Sequence, residues 1–109
     1  MSTFFNFLKR YIKPLTVTST TSLGTTTAID FASYSGGTIE CDAAITITWY
    51  AASTKAGTYR AANSHTGAAI TQAVSANEVY EIPPSLFGSR TLKPLSSSGT
   101  NTILVNLKS

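Results

Sequence analysis

His65 is the first side chain to consider for catalysis, because it is the only histidine of the 109 residues. A Ser-His-acid arrangement would have to use it. It lies in a stretch rich in Gly, Ser and Thr that is typical of a loop, and the chain contains no Gly-x-Ser-x-Gly motif. These features predict a solvated surface histidine and a protein that is not an enzyme.

The carboxylates indicate a metal site only weakly. Asp30, Glu40 and Asp42 are expected near adjacent strand ends, where oxygen ligands suit a hard cation such as calcium. They are scattered, however, and no ligand loop accompanies them, so surface or edge charges are the favoured interpretation. Zinc is excluded by the number of available ligands, and no Gly-rich phosphate-binding loop is present. We expect no metal and no cofactor.

The single cysteine, Cys41, rules out an internal disulfide and is expected to be structural. It follows Ile39 by two residues, so alternation along a strand places both side chains on the inward face. No second cysteine or nearby histidine accompanies it, as a metal ligand or a nucleophile would require. We therefore predict that Cys41 is a small buried hydrophobic residue.

Exposed aromatic residues suggest one candidate ligand, a sugar ring. Trp49 shares its strand face with Ile45 and Ile47, which favours a core position. Tyr50 on the opposite face, and Tyr34 in the Ala-Ser-Tyr-Ser-Gly-Gly loop, are the candidate ligand-facing residues. A carbohydrate-binding module on a virion or cell surface therefore stays open as an alternative function.

Charge is concentrated at the amino end. Of the eight basic residues, Lys9, Arg10 and Lys13 account for the net charge of +3, since the other five match the five acids. A neutral body lacks the basic stripe that binds phosphates, so no nucleic-acid partner is expected. Charged residues make up only 12% of the chain, against about a quarter in average soluble domains, which favours an assembled state.

The first 14 residues differ from the rest and predict a short amphipathic helix or arm that ends at Pro14. The segment is too short for a secretory signal or a bilayer span. The segment is expected to dock on a partner surface or a membrane interface, with the membrane disfavoured. Packing on its own domain and disorder are the alternatives. The predicted partner-binding residues are Phe4, Phe5, Phe7, Leu8, Lys9, Arg10, Tyr11, Ile12 and Lys13.

Residues 15–109 are predicted to form a single antiparallel β-sandwich, jelly-roll or immunoglobulin-like, with about eight or nine strands. The strongest signal is residues 45–50, where apolar and polar side chains alternate strictly, and this stretch is predicted to be the central strand. Residues 83–88 predict one helical turn between strands. The predicted strands are 15–21, 27–31, 38–41, 45–50, 58–61, 69–74, 78–82, 91–95 and 102–108.

The stretch from Ile45 to Lys108, with its ITITWYAASTKAGTYRAA hairpin and its PPSLFG turn, resembles the decoration or cement proteins of tailed phages. These are small β-sandwiches on the capsid exterior, commonly trimers. The resemblance implies a non-enzymatic virion protein on the capsid surface that binds the major capsid protein across neighbouring subunits and forms a homo-oligomer, with a trimer favoured. The pattern is also similar to jelly-roll carbohydrate-binding modules, but the chain lacks their cluster of exposed aromatic residues.

Overall fold

Two antiparallel sheets form the fold of the computed structural model, which describes residues 12–109. Within those residues the strands are β1 (Ile12–Ser19), β2 (Ile29–Asp30), β3 (Gly36–Cys41), β4 (Ile45–Ala52), β5 (Arg60–Ala61), β6 (Thr71–Val74), β7 (Val79–Glu81), β8 (Thr91–Ser96) and β9 (Asn101–Lys108). Two short 3-10 turns, at Leu23–Thr25 and Pro84–Leu86, interrupt the connections. The predicted β-sandwich is therefore confirmed.

The strand order shows which elements lie at the centre of each sheet. One sheet runs β1-β9-β3-β7, and the other runs β2-β8-β4, with β6 and β5 following one another end to end along the free side of β4. The strand predicted to be central, β4, thus has neighbours on both sides. All these pairs are antiparallel.

The core lies between the sheets and follows the alternation of the sequence. Ile45, Ile47 and Trp49 point inward from β4, and Trp49 has no exposed surface. From β9, the inward residues are Ile103, Val105 and Leu107. Their burial explains why strict alternation was the most reliable signal in the chain, since one face of each strand must be apolar.

A glutamine of β6 joins the two sheets at the core's margin. The indole N–H of Trp49 donates to Gln72 Oε1 at 3.2 Å, and Gln72 Nε2 donates to the backbone oxygen of Glu81 at 2.8 Å. Glu81 belongs to the opposite sheet. Gln72 therefore satisfies the one polar atom of the buried tryptophan and links the sheets through side-chain hydrogen bonds.

The beginning of the sandwich differs from the prediction. β1 starts at Ile12 and contains Pro14, whereas the sequence predicted a helix end at Pro14 and a strand from Leu15. β1 is an edge strand, and the backbone N–H and carbonyl of Thr18 bond to Thr27, away from β9. Backbone directions alternate along a strand, so the nitrogen of Pro14 also faces away from β9 and its missing N–H costs no ladder bond.

Ile12 and Lys13 are consequently reassigned from the amino-terminal segment to the sandwich. They lie opposite Lys108 and Leu107 of β9. A proline in an edge strand and a proline that ends a helix look alike in the local sequence. Here only the pairing of β1 with β9 distinguishes the two.

Candidate interaction surface

The residues considered for catalysis are not gathered into a site. His65 is exposed in the loop after β5. Cys41 is 1% exposed, and burial raises the pKa of its thiol, so a reactive thiolate is disfavoured. Among residues 12–109, no group of three or more His, Cys, Asp or Glu side chains is arranged to hold a metal ion.

The two tyrosines predicted to face a ligand lie in different environments. Tyr50 is half-buried on the outer face of β4, opposite Lys93 of β8. The Lys93 ammonium lies 4.5 Å from the centre of the Tyr59 ring and donates to the backbone oxygen of Leu23 at 2.8 Å. Tyr34 instead packs against the core from the loop between β2 and β3. They do not form one aromatic platform for a sugar.

Three carboxylates and two apolar side chains share the outer face of the β1-β9-β3-β7 sheet, on or beside strands β9, β3 and β7. We call this set, made up of Glu40, Asp42, Val79, Glu81 and Leu104, the acidic face. Its origin is alternation, since the inward residues of β3 and β9 leave their neighbours in sequence pointing to solvent. Val79 is 64% exposed and Leu104 is 46% exposed, although valine and leucine side chains are usually buried.

Strand register brings these residues into contact range. Glu40 lies opposite Leu104 on one side and Val79 on the other. Glu81 lies opposite Thr38, and this places it diagonal to Glu40, at a typical spacing of about 7–8 Å. The acidic face is therefore one patch. Glu40 lies between Val79 and Leu104 in a row across three strands, and the other carboxylates lie beside this row.

A groove of about 280 Å³ opens on the acidic face. Glu40, Asp42 and Leu104 are among its lining residues, together with Cys41, Asn77 and Thr102. Asp42 is held in place because its Oδ1 accepts the backbone N–H of Thr102 at 3.1 Å. A lysine or arginine side chain matches this lining, with its aliphatic stem on the leucine and its charged group at the carboxylates.

The sequence had grouped Asp30 with Glu40 and Asp42, and the structure separates it from them. Asp30 lies on β2 of the other sheet, where its Oδ1 accepts the backbone N–H of Ala32 at 3.2 Å. The acidic face itself was missed. The sequence did contain one sign of it. Val79 and Leu104 alternate with the inward residues of their strands, so they are large apolar residues at positions that face outward.

A second groove, of about 440 Å³, lies at the end of β4 and offers little chemistry. Apart from the exposed Arg90, its lining consists of small residues. The small residues are Ala51, Ala52, Ser53, Gly88 and Ser89.

Most of the predicted partner-binding residues lie outside the part of the chain that the structure describes. These are Phe4, Phe5, Phe7, Leu8, Lys9, Arg10 and Tyr11. Of the remaining two, Ile12 is 55% exposed and Lys13 is also exposed, both at the start of β1. Ile12 therefore adds a third exposed apolar side chain, after Val79 and Leu104, to the outer surface of this sheet.

Within residues 12–109, none of the helical segments has the length and apolarity needed to cross a bilayer.

The fold places the chain in the class of two-sheet antiparallel β-sandwiches. No family model matches the sequence, and no curated protein matches it either. Among solved structures, it is similar to the crystal structure of the SPBc2 prophage-derived protein YomS, with a TM-score of 0.57 and 12% sequence identity. The match covers 93% of this chain and 96% of that one. At this identity the likeness establishes a shared fold.

Proposed function

We propose that this protein is a non-enzymatic structural protein of a tailed-phage virion. It decorates the outside of the capsid as a homo-oligomer, with a trimer favoured, and stabilises the shell by binding the major capsid protein across neighbouring subunits. The observation that carries the proposal is the fold shared with a prophage-derived protein over 93% of this chain.

Two features of the chain support a role in assembly. Only 12% of its residues are charged, against about a quarter in average soluble domains. The acidic face in addition exposes Val79 and Leu104 on either side of Glu40, and large apolar side chains contribute strongly to an interface when a partner covers them.

The mechanism is preferential binding to the assembled shell. A protein that binds the intact lattice and not the free subunits stabilises the lattice by about 2.7 kcal/mol per site when its concentration is 100 times the dissociation constant. An oligomer that contacts several shell subunits at once adds avidity without any new type of contact.

The test is co-sedimentation with bare capsids of the same phage. The structure sets the deletion at residues 1–11, because a longer one would remove Ile12 and Lys13 from β1. Residues 1–11 hold seven of the nine predicted partner-binding residues and are proposed to dock on the shell. We therefore expect the full chain to pellet with capsids and raise their melting temperature, and the truncated chain to do neither. The double variant Lys9→Glu/Arg10→Glu should lose binding in the same way.

A matched control changes charge elsewhere by the same amount. Lys55→Glu/Arg60→Glu alters two exposed residues on or beside the other sheet and should bind capsids normally. If the full chain stays in the supernatant over a range of salt concentrations, the capsid-binding proposal is wrong.

A further inference from the structure

We propose that residues 1–11 of one copy dock on the acidic face of a neighbouring copy, so that the oligomer is held together head to tail. The inference rests on the proposed role of this segment in docking, and it names the partner surface that receives the segment.

Charge complementarity supports this pairing. The acidic face displays the Glu40, Asp42 and Glu81 carboxylates, and the amino-terminal segment carries the cations of Lys9 and Arg10. Among residues 12–109, no lysine or arginine belongs to the acidic face. The nearest along β9 is Lys108, which is four residues from Leu104 and so about 13 Å away.

Apolar complementarity points in the same direction. Leu104 and Val79 flank Glu40 with much of their surface exposed. The amino-terminal segment supplies the large apolar residues that would cover them, and large apolar and aromatic groups dominate interface energetics. These residues are Phe4, Phe5, Phe7 and Leu8.

Reach favours a neighbouring copy over the segment's own domain. Ile12 opens β1, and Glu40 lies two strands across and four residues further along the sheet, about 17 Å away. The Cα atom of Arg10 lies within about 7 Å of that of Ile12 even when the chain is fully extended. The two cations nearest β1 would therefore meet their own acidic face only with chain and side chains stretched.

The direction of β1 also favours a neighbouring copy. β1 runs from the Lys108 end of the sheet towards the Asn101 end, and Glu40 lies towards the latter. The chain before Ile12 would have to reverse over its own sheet to reach this face. A neighbouring copy accepts the segment without reversal, and a contact between two different surfaces closes into a ring when the rotation permits.

The experiment uses two variants of the full chain and measures their mass in solution by light scattering after size exclusion. The segment variant is Lys9→Glu/Arg10→Glu, and the face variant is Glu40→Lys/Glu81→Lys. We expect the unmodified protein to be oligomeric and each variant to be monomeric. Fluorescence of the buried Trp49 checks that each variant is folded, and Glu40→Gln/Glu81→Gln replaces the face variant if it is not.

Mixing the two variants in equal amounts is the decisive step. The face variant's unmodified segment meets an unmodified face on the segment variant, and the charge-reversed segment meets a charge-reversed face. Head-to-tail docking therefore predicts that the mixture regains oligomers that neither variant forms alone. The charge-matched control Lys55→Glu/Arg60→Glu should keep the oligomer that the unmodified protein forms.

Three results would overturn the inference: a monomeric unmodified protein, a face variant that stays oligomeric, or a mixture that stays monomeric. Capsid co-sedimentation separates this failure from failure of the proposed function. If the face variant keeps the oligomer and still binds capsids, while the segment variant loses capsid binding, the segment's partner is the shell and the proposed function stands.

Discussion

Replacing Gly37 by alanine should destabilise the β3–β9 pairing on which the acidic face depends. Gly37 is buried in β3 opposite Leu107, and its backbone oxygen accepts the N–H of Ile82 at 2.9 Å. A Cβ atom at this position would lie 2.5 Å from the backbone oxygen of Asn106 and 3.1 Å from Leu107 Cδ2. The first of these neighbours is backbone of the adjacent strand, so it cannot move without disturbing the ladder.

The expected cost follows from two opposing terms. Overpacking costs about 1–3 kcal/mol, and a backbone obstacle places Gly37→Ala at the upper end of that range. Replacing glycine by alanine returns about 0.4–1 kcal/mol by restricting the unfolded chain. The net loss is about 2 kcal/mol, which corresponds to a fall in melting temperature of about 10 °C for a domain of this size.

The assay is thermal unfolding followed by circular dichroism, with Gly88→Ala as the matched control. A Cβ atom added at Gly88 would have no heavy atom within 4 Å, and the residue has no positive φ. This variant should therefore melt within about 2 °C of the unmodified protein. If Gly37→Ala melts at the same temperature as Gly88→Ala, the close approach of β3 to β9 described above is incorrect.

Three further variants test other contacts. Gln72→Ala leaves the indole N–H of Trp49 without its acceptor and should cost about 1–3 kcal/mol in urea unfolding; a loss below about 0.5 kcal/mol would contradict the inter-sheet link. Burial raises the pKa of the Cys41 thiol above its ordinary 9.0, so the stability it contributes is full below that value and is lost as pH rises through the folded pKa. The melting temperature of the unmodified protein should therefore fall more steeply above about pH 9 than that of Cys41→Ala, and parallel curves would refute this. Lys93→Met removes the hydrogen bond to Leu23 and should speed protease cleavage of the loop after β1; unchanged cleavage would show that the bond does not hold the loop.

Strict alternation made the core predictable. The inward residues of β4 from Ile45 to Trp49 and those of β9 follow it, and the short helical turn near Leu86 was also expected from its flanking Pro and Gly. In these cases the information is local, because strand faces and turn chemistry depend on neighbouring residues in the sequence.

The acidic face could not be predicted in the same way. Glu40, Val79 and Leu104 are far apart in the sequence and meet only through the register of β3 with its two neighbours. Pro14 shows a related limit, since its meaning depends on whether its strand lies at an edge. Register and strand order are set by the packing of the whole sandwich and cannot be read from one stretch of sequence.

The most direct test of the central claim is quantitative mass spectrometry of phage particles purified by density gradient. We predict many copies of this chain per particle, in a fixed ratio to the major capsid protein, and their loss when the shell is stripped of surface proteins. If washed particles contain no copies of the chain, it is not a structural part of the virion.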